Sequence, residues 1–330
     1  MHQRQVTTIR HVAATGEPVR KRVDPLNQER SGFGQGAPYC AAPDPELKAP
    51  KTPFPALACD THAHICGPIS RFRYAEDRIY TPPDALVPDY VRLLKAIGCG
   101  RAVLVQPSVY GTDNTVLLAA LKDIRANGID CRGVAVIDQT ITDEELVQFR
   151  EGGICGIRFN LVDVANPKTG LPLDEIRALC ERIAALDWHA ELLIHVDDHA
   201  DFDKVFADWP VDIVIGHMGY CRLGQGSESE GFRAMLRLAG KGCCWIKMTG
   251  PYRISAAELP YREAGDFARV LVENVPDRLI WGTDWPHVMV TKLMPNDADL
   301  CDLLADWIGD LKTREKILVA NPAQLYRFSR

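Results

Sequence analysis

Short apolar runs recur along the chain from about residue 56 onward, and polar or amphipathic segments separate them. Each run is short and apolar at consecutive positions, which is typical of parallel strands buried under helices on both faces. The pattern predicts eight strands, over residues 56–62, 101–106, 132–137, 154–160, 191–195, 211–217, 243–249 and 278–283.

The segments between these runs carry apolar residues at a spacing of three to four, which predicts helices. The clearest cover residues 84–97, 112–127, 142–151, 173–186, 228–240 and 256–275. Strand and helix alternate eight times, and this favours a (β/α)8 barrel, an α/β fold, over a doubly wound sheet. We therefore expect one barrel domain over residues 56–330.

Residues 1–55 break this pattern, because they are polar, interrupted by glycine and rich in proline from residue 38 to 55. They predict an extended N-terminal arm that packs on the outside of the barrel or on a partner subunit. A targeting peptide is the alternative, but acidic residues dilute the basic ones here. A homo-oligomer is left open.

Composition narrows the class of protein. The net charge of -6 argues against nucleic acid or an anionic membrane as the main partner. No stretch reaches 18 consecutive apolar residues, so we expect no membrane span. The eleven cysteines lack CxxC spacing and lie in or near apolar runs, which predicts reduced thiols in a cytoplasmic protein.

Polar side chains stand where the predicted strands end, which is where a barrel of this kind builds its active site. Asp284 follows the eighth predicted strand. His189 and His199 lie away from strand ends, and we expect both on the surface. The residues at or just past strand ends are His62, His64, Arg158, Asn160, His195, His217, Lys247 and Thr249.

Histidines two apart on a strand point to the same side, so His62 and His64 can hold one metal ion together. Adding His195 and Asp284 gives three imidazoles and one carboxylate, a catalytic set for one divalent metal ion, with zinc favoured. Asp284 can also take the proton from an attacking water, and His217 can hydrogen-bond that water or the developing oxyanion. The predicted reaction is attack on a polarised carbonyl.

Six motifs carry a family resemblance: DTHAHICGP, QPSVYGTDN, GIRFN, LLIH, GHMG and WGTDWPH. From Ala56 to residues 321–322 the chain resembles the amidohydrolase superfamily, in particular its lactonase branch, which acts on 2-pyrone-4,6-dicarboxylate and 4-sulfomuconolactone. The resemblance implies a distorted barrel of amidohydrolase type and hydrolytic opening of a lactone ring.

The chain also departs from the pyrone-dicarboxylate lactonases. Those enzymes lack a histidine at the position of His195 and are regarded as working without a tightly held metal. They carry arginines where this chain has Tyr220 and Cys155. We therefore expect a small anionic lactone substrate of the muconolactone type, with 4-sulfomuconolactone as the favoured example. The alternatives are a pyrone-dicarboxylate or sugar-acid lactonase, or a non-oxidative decarboxylase with the same metal site.

Arginine suits carboxylate or sulfonate oxygens because its guanidinium donates in a fork. Arg158 lies near the end of the fourth predicted strand and Arg253 follows the seventh, so we assign them to substrate binding. Tyr80, Ser108 and Asn160 are assigned with them. Whether further side chains reach the site is left open, and this concerns His287, Lys247, Arg71, Arg73 and Arg222.

Overall fold

The computed structural model describes residues 36–163 and 171–329, and its centre is a sheet of eight parallel strands in sequence order. A bridge between Ala63 and Trp285 joins the segment after the last strand to the first, so the sheet forms a nearly closed barrel. The predicted (β/α)8 fold is confirmed. The strands are β1 Cys59–Ala63, β2 Arg101–Val105, β3 Asp130–Ala135, β4 Ile154–Asn160, β5 His189–Leu193, β6 Ile213–Ile215, β7 Cys244–Met248 and β8 Leu279–Trp281.

Helices alternate with the strands and surround the barrel. Most begin or end within a few residues of the predicted bounds, and the helix between β5 and β6 is a single turn. The helices are α1 Val87–Ile97, α2 Thr115–Ala126, α3 Asp143–Gly152, α4 Leu173–Ala184, α5 Phe202–Val205, α6 Glu230–Gly240, α7 Arg262–Asn274, α8 Asp297–Trp307, α9 Leu311–Glu315 and α10 Asn321–Tyr326, with a π-helical turn over Lys316–Ala320.

The strands separate two apolar layers because their side chains alternate between the faces of the sheet. In β2, Val103 and Val105 point into the barrel, whereas Ala102 and Leu104 belong to the layer under the helices. Tyr326 at the end of α10 joins the interior cluster. The barrel is therefore packed inside, as parallel barrels are, and does not form a channel.

His189 is buried, so the prediction that it lies on the surface is wrong. It is the first residue of β5 and not part of the preceding loop. Its ring packs edge-on against Tyr326, with 5.3 Å between the ring centroids. The C-terminal helix covers this position, and nothing local in the sequence around His189 indicates that contact.

Residues 36–55, the described part of the predicted arm, run along the barrel. The amide of Cys40 donates to the carbonyl of Thr81 at 2.8 Å, and the amide of Thr81 donates to the carbonyl of Pro38 at 2.7 Å. Asn296 donates to the Asp44 carboxylate at 3.1 Å. Residues 1–35 lie outside the described residues, so the role of the arm stays a prediction.

All eleven cysteines are free thiols, and eight of them are buried. Burial raises the pKa of Cys180 and Cys221 to about 12, which keeps both protonated. In the described part of the chain, no helix is long and apolar enough to cross a membrane.

Candidate active site

The end of β1 brings two imidazoles together with the carboxylate that follows β8. The rings of His62 and His64 lie 5.0 Å apart between centroids. Asp284 Oδ1 lies 3.6 Å from His62 Nε2 and 3.9 Å from His64 Nε2. One ligand atom from each of the three residues falls within 4.8 Å of the others, and all three residues are buried. This group could hold one metal ion.

The tautomer of His64 follows from its partner. Its Nδ1 lies 2.7 Å from the carbonyl oxygen of Val105. A carbonyl only accepts hydrogen bonds, so Nδ1 donates and Nε2 keeps a lone pair. Burial, followed by the neighbouring His62, lowers the pKa of His64 to about 3. His64 is therefore neutral near pH 7 and offers Nε2 as a ligand.

Two atoms of the group test whether it suits a metal ion. His62 Nε2 and Asp284 Oδ1 are fully buried and have no hydrogen-bond partner within the described residues. An unpaired buried polar atom is costly, so native structures rarely keep one without a ligand, ion or water. The two atoms face each other across 3.6 Å, and a divalent cation between them would satisfy both when Nε2 carries no proton. The residues therefore fit the predicted metal.

The other oxygen of Asp284 is engaged by the protein. Oδ2 accepts from Arg253 Nε at 2.9 Å and from the hydroxyl of Tyr252 at 2.6 Å. Burial alone would raise the pKa of Asp284, but Arg253 and the nearby histidines hold it well below its usual value. Asp284 is thus an ionised carboxylate with one oxygen fixed and the other facing the histidines.

His217 lies beside this group, just past β6. Its ring centroid is 5.2 Å from that of His62, and its Nδ1 lies 2.9 Å from the hydroxyl of Thr249. Burial lowers its pKa well below the usual value, with Arg253 adding to the shift. Gly250 has φ +55, and a Cβ there would lie 2.8 Å from His217 Nδ1. The site thus needs glycine at this position.

His195 stands apart from the three-residue group. It follows the end of β5 by two residues, its Nδ1 lies 2.5 Å from the carbonyl of Tyr220, and its ring packs on the Tyr220 ring. The described metal group contains His62, His64 and Asp284 without it. The ligand role of His195 stays a prediction.

A pocket opens beside the group at the C-terminal ends of the strands. All five residues predicted to bind substrate line it: Tyr80, Ser108, Arg158, Asn160 and Arg253. His64 and His217 also reach its wall, which joins the pocket to the candidate metal group. The remaining lining residues are Asp163, Leu193, Val288 and Met289.

Arg158 is a buried cation with no ion-pair partner within 4.0 Å among the described residues. It is 7% exposed, its Nη1 donates to the carbonyl of Gln106 at 3.1 Å, and its Nε has no partner there. Isolated buried charges are costly, and proteins normally pair them. The pocket thus holds a positive charge that an anionic ligand would neutralise.

The structure shows where the further side chains lie that the sequence could not assign to the site. Arg71, Arg73 and Arg222 do not line the pocket, and Arg222 pairs with Asp198 instead. Lys247 is fully buried inside the barrel beside His62. His287 lies behind the site, where its Nδ1 is 3.1 Å from the Tyr252 hydroxyl.

Sequence reasoning missed Glu191, which lies 3.2 Å from His62 Nδ1, and Tyr252, which binds Asp284. For Glu191 a signal exists, because it is a carboxylate in the middle of a buried strand and shares the inward parity of His189 and Leu193. For Tyr252 the sequence carries no such signal, since it stands in the loop after β7.

A parallel eight-stranded barrel with a histidine, histidine and aspartate group at its strand ends defines a (β/α)8-barrel enzyme with a candidate metal centre. Residues 59–328 match the model of the amidohydrolase family, and the chain belongs to that family. The predicted family membership is confirmed.

Individual members of the family show which enzymes the chain is similar to. The chain is 35% identical over 286 residues to 2-pyrone-4,6-dicarboxylate hydrolase of Comamonas testosteroni, covering 84% of this chain and 92% of that protein. It is 34% identical over 299 residues to 4-sulfomuconolactone hydrolase of Hydrogenophaga intermedia, covering 88% and 95%. It also resembles the structure of a probable 2-pyrone-4,6-dicarboxylic acid hydrolase from Acinetobacter baumannii with citric acid bound, with a TM-score of 0.72, 28% identity and coverage of 82% and 100%.

Proposed function

We propose that the protein is a metal-dependent hydrolase that opens the lactone ring of a small, multiply anionic substrate of the muconolactone type. The favoured example is 4-sulfomuconolactone, and zinc is the favoured metal ion. The observation that carries the proposal is the position of Arg158, a buried cation with no ion-pair partner among the described residues, in the pocket beside the candidate metal group. The relatives that act on anionic lactones support the same class of substrate.

Recognition of the substrate rests on the pocket wall. Arg158 pairs with a carboxylate or sulfonate of the substrate. The hydroxyls of Tyr80 and Ser108 and the side-chain NH2 of Asn160 donate further hydrogen bonds to the same substrate. Arg253 contributes less charge to the ligand, because its Nε is already paired with Asp284. Anion binding at Arg158 thereby orients the lactone carbonyl toward the strand ends.

His62, His64 and Asp284 hold the metal ion, with His195 as the further ligand predicted from the sequence. When bound, a divalent ion of this kind supplies Lewis-acid activation of a carbonyl and of a water molecule. Asp284 accepts the proton of the attacking water, since it is an ionised buried carboxylate. His217 is neutral and hydrogen-bonds the water or the oxyanion that forms on the carbonyl oxygen.

Hydrolysis tests the proposal directly. Purified protein loaded with one equivalent of zinc should open 4-sulfomuconolactone, and chelator-stripped protein should lose that activity and regain it with zinc. The substitution Asp284→Asn should lower turnover by about 1,000-fold or more, because it removes both the proton acceptor and a ligand. Asp203→Asn is the matched control, since it alters a buried carboxylate that pairs with Arg237 outside the ligand group, and it should keep most of the activity. Stripped protein as active as the loaded form would refute the metal dependence.

Pyrone-dicarboxylate hydrolysis is the second candidate, because a relative of similar identity and coverage carries that name. Parallel assays with 2-pyrone-4,6-dicarboxylate, a sugar-acid lactone and 4-sulfomuconolactone decide between them by the ratio of kcat/KM. Release of carbon dioxide in place of ring opening would identify a decarboxylase and contradict the proposal.

A further inference from the structure

One nitrogen of His62 contacts two groups of opposite hydrogen-bonding character. Its Nδ1 lies 3.2 Å from Glu191 Oε1 and 3.2 Å from Lys247 Nζ. An ionised carboxylate only accepts hydrogen bonds, and an ammonium group only donates them. Both contacts with Nδ1 cannot be hydrogen bonds at the same time. The partner that Nδ1 chooses therefore determines the tautomer of His62.

The tautomer decides whether His62 can be a metal ligand. If Nδ1 carries the proton and donates to Glu191, then Nε2 keeps a lone pair that faces Asp284 Oδ1 across 3.6 Å. If Nδ1 accepts from Lys247, then Nε2 carries the proton and has no lone pair to offer. The second arrangement leaves a donor where the cation should bind.

We propose that Glu191 is a positioning residue that keeps His62 in the tautomer able to bind metal, and that Lys247 serves to hold Glu191. The inference rests on the metal site of the proposed function. Lys247 Nζ donates to Glu191 Oε2 at 2.6 Å and to the carbonyl of Thr61 at 2.8 Å, which leaves Oε1 free for His62. The side chains of His62, Glu191 and Lys247 are at most 2% exposed, so bulk water does not compete for these bonds.

Glu191 on β5 forms an ion pair with Lys247 on β7. Its Oε2 accepts from the Lys247 ammonium group at 2.6 Å, and its Oε1 lies 3.2 Å from His62 Nδ1. The carboxylate thus has one oxygen held by Lys247 and the other placed to accept from His62, as the positioning role requires. In the neighbouring ligand His64, Nδ1 also carries the proton and leaves Nε2 free, but there Nδ1 donates to the backbone carbonyl of Val105. His62 is the ligand whose tautomer depends on a side chain, so substitutions can address it alone.

Two double variants separate the acceptor from the charges. Glu191→Gln with Lys247→Met removes both buried charges and keeps an acceptor for His62 Nδ1. Glu191→Leu with Lys247→Met removes the same charges and the acceptor. We expect the glutamine variant to bind zinc about as tightly as the wild-type protein, and the leucine variant about 10- to 100-fold more weakly, which is the usual cost of losing such an outer contact. Zinc affinity is measured by competition with a chromogenic chelator.

The single variant Glu191→Gln adds a second comparison if the leucine variant does not fold. With its charged partner gone, Lys247 donates to His62 Nδ1 and drives the proton to Nε2. We therefore expect Glu191→Gln alone to bind zinc more weakly than Glu191→Gln with Lys247→Met. Asp203→Asn is the control, because this buried carboxylate pairs with Arg237 and contacts no ligand, and its zinc affinity should match that of the wild-type protein.

The tautomer itself is read in metal-free protein by 15N NMR of the imidazole nitrogens, with His62→Gln used to assign the signals. The wild-type protein should show His62 protonated at Nδ1, and Glu191→Gln should show it protonated at Nε2. Wild-type His62 protonated at Nε2, or equal zinc affinities for the two double variants, would overturn the inference. Neither readout uses a substrate, so a failure to hydrolyse lactones would count against the proposed function alone.

Discussion

Arg253 and the buried Asp284 form an ion pair beside the pocket, with 2.9 Å between Nε and Oδ2. The pair divides the Asp284 carboxylate, because Oδ2 is taken by Arg253 and Tyr252 while Oδ1 faces the two histidines. Arg253 also donates from Nη2 to the carbonyl of Val288 at 3.1 Å. A residue assigned from the sequence to substrate binding therefore holds one oxygen of the carboxylate that we propose as proton acceptor.

Removal of Arg253 should make activity sensitive to acid. In Arg253→Met, burial of Asp284 is no longer opposed by the guanidinium, so the pKa of Asp284 rises. Ionised Asp284 is needed to accept a proton, so the acid limb of the kcat/KM profile should move to higher pH. Tyr252→Phe is the matched control, since it removes a neutral donor from the same oxygen and should shift the limb less. An unchanged acid limb in Arg253→Met would contradict this role.

Loss of Arg158 should weaken substrate binding without weakening the fold. Arg158→Met keeps the length of the side chain and removes a buried charge that has no partner within the described residues. We expect KM for the anionic lactone to rise about 100-fold, because an ionic hydrogen-bonded contact of this kind is worth roughly 3 kcal/mol. The free energy of unfolding should stay unchanged or rise by about 1 kcal/mol, since the unpaired charge costs the folded state.

The control for Arg158 is Arg222→Ala, which removes a half-exposed arginine paired with Asp198 outside the pocket. Its KM should stay within about twofold of the wild-type value, because exposed ion pairs contribute little. Urea titrations and steady-state kinetics on both variants measure the two effects separately.

Asp60 ties the first strand to the last, and its removal should open the barrel there. Its carboxylate accepts from the amides of His62 and Thr283, from the Thr283 hydroxyl and from Tyr90. Asp60→Ala leaves four buried donors without an acceptor and should lower the free energy of unfolding by about 3–5 kcal/mol. Asp60→Asn keeps one acceptor oxygen, so its free energy of unfolding should fall by less. If Asp60→Ala and the wild-type protein were equally stable in urea, Asp60 would not be needed to join the first strand to the segment after the last one.

His189 should make the fold sensitive to acid. Burial lowers its pKa from 6.5 to about 4. Between these two values the unfolded chain binds a proton that the folded protein does not, so stability is full above pH 6.5 and falls as the pH drops toward 4. The wild-type protein should lose about 2 kcal/mol more than His189→Leu between pH 7 and pH 4.5, because 1 pKa unit corresponds to about 1.4 kcal/mol. Urea unfolding of metal-stripped samples at both pH values measures the difference, and equal losses would contradict it.

Local pattern is enough to predict the barrel and the residue types at its mouth. Parallel buried strands need short apolar runs, and side chains that end such strands must meet at one rim, whatever the rest of the chain does. For this reason four residues could be grouped as metal ligands before any contact was known: His62, His64, His195 and Asp284. The structure brings three of them together and leaves His195 outside that group. Strand bounds were less certain, as β5 begins at His189 and ends before His195.

The partners of those residues depend on tertiary structure, because they lie far apart in the chain. Glu191 and Lys247 are 56 positions apart, and Arg253 and Asp284 are 31 apart, yet each pair is within hydrogen-bond distance. Strand register and loop conformation set these contacts, and neither can be read from periodicity. The sequence by itself determined the barrel and the set of side chains at its open end. Only the folded chain decided that Nε2 of His62 faces Asp284, that Arg158 has no ion-pair partner among the described residues, and that His189 is buried.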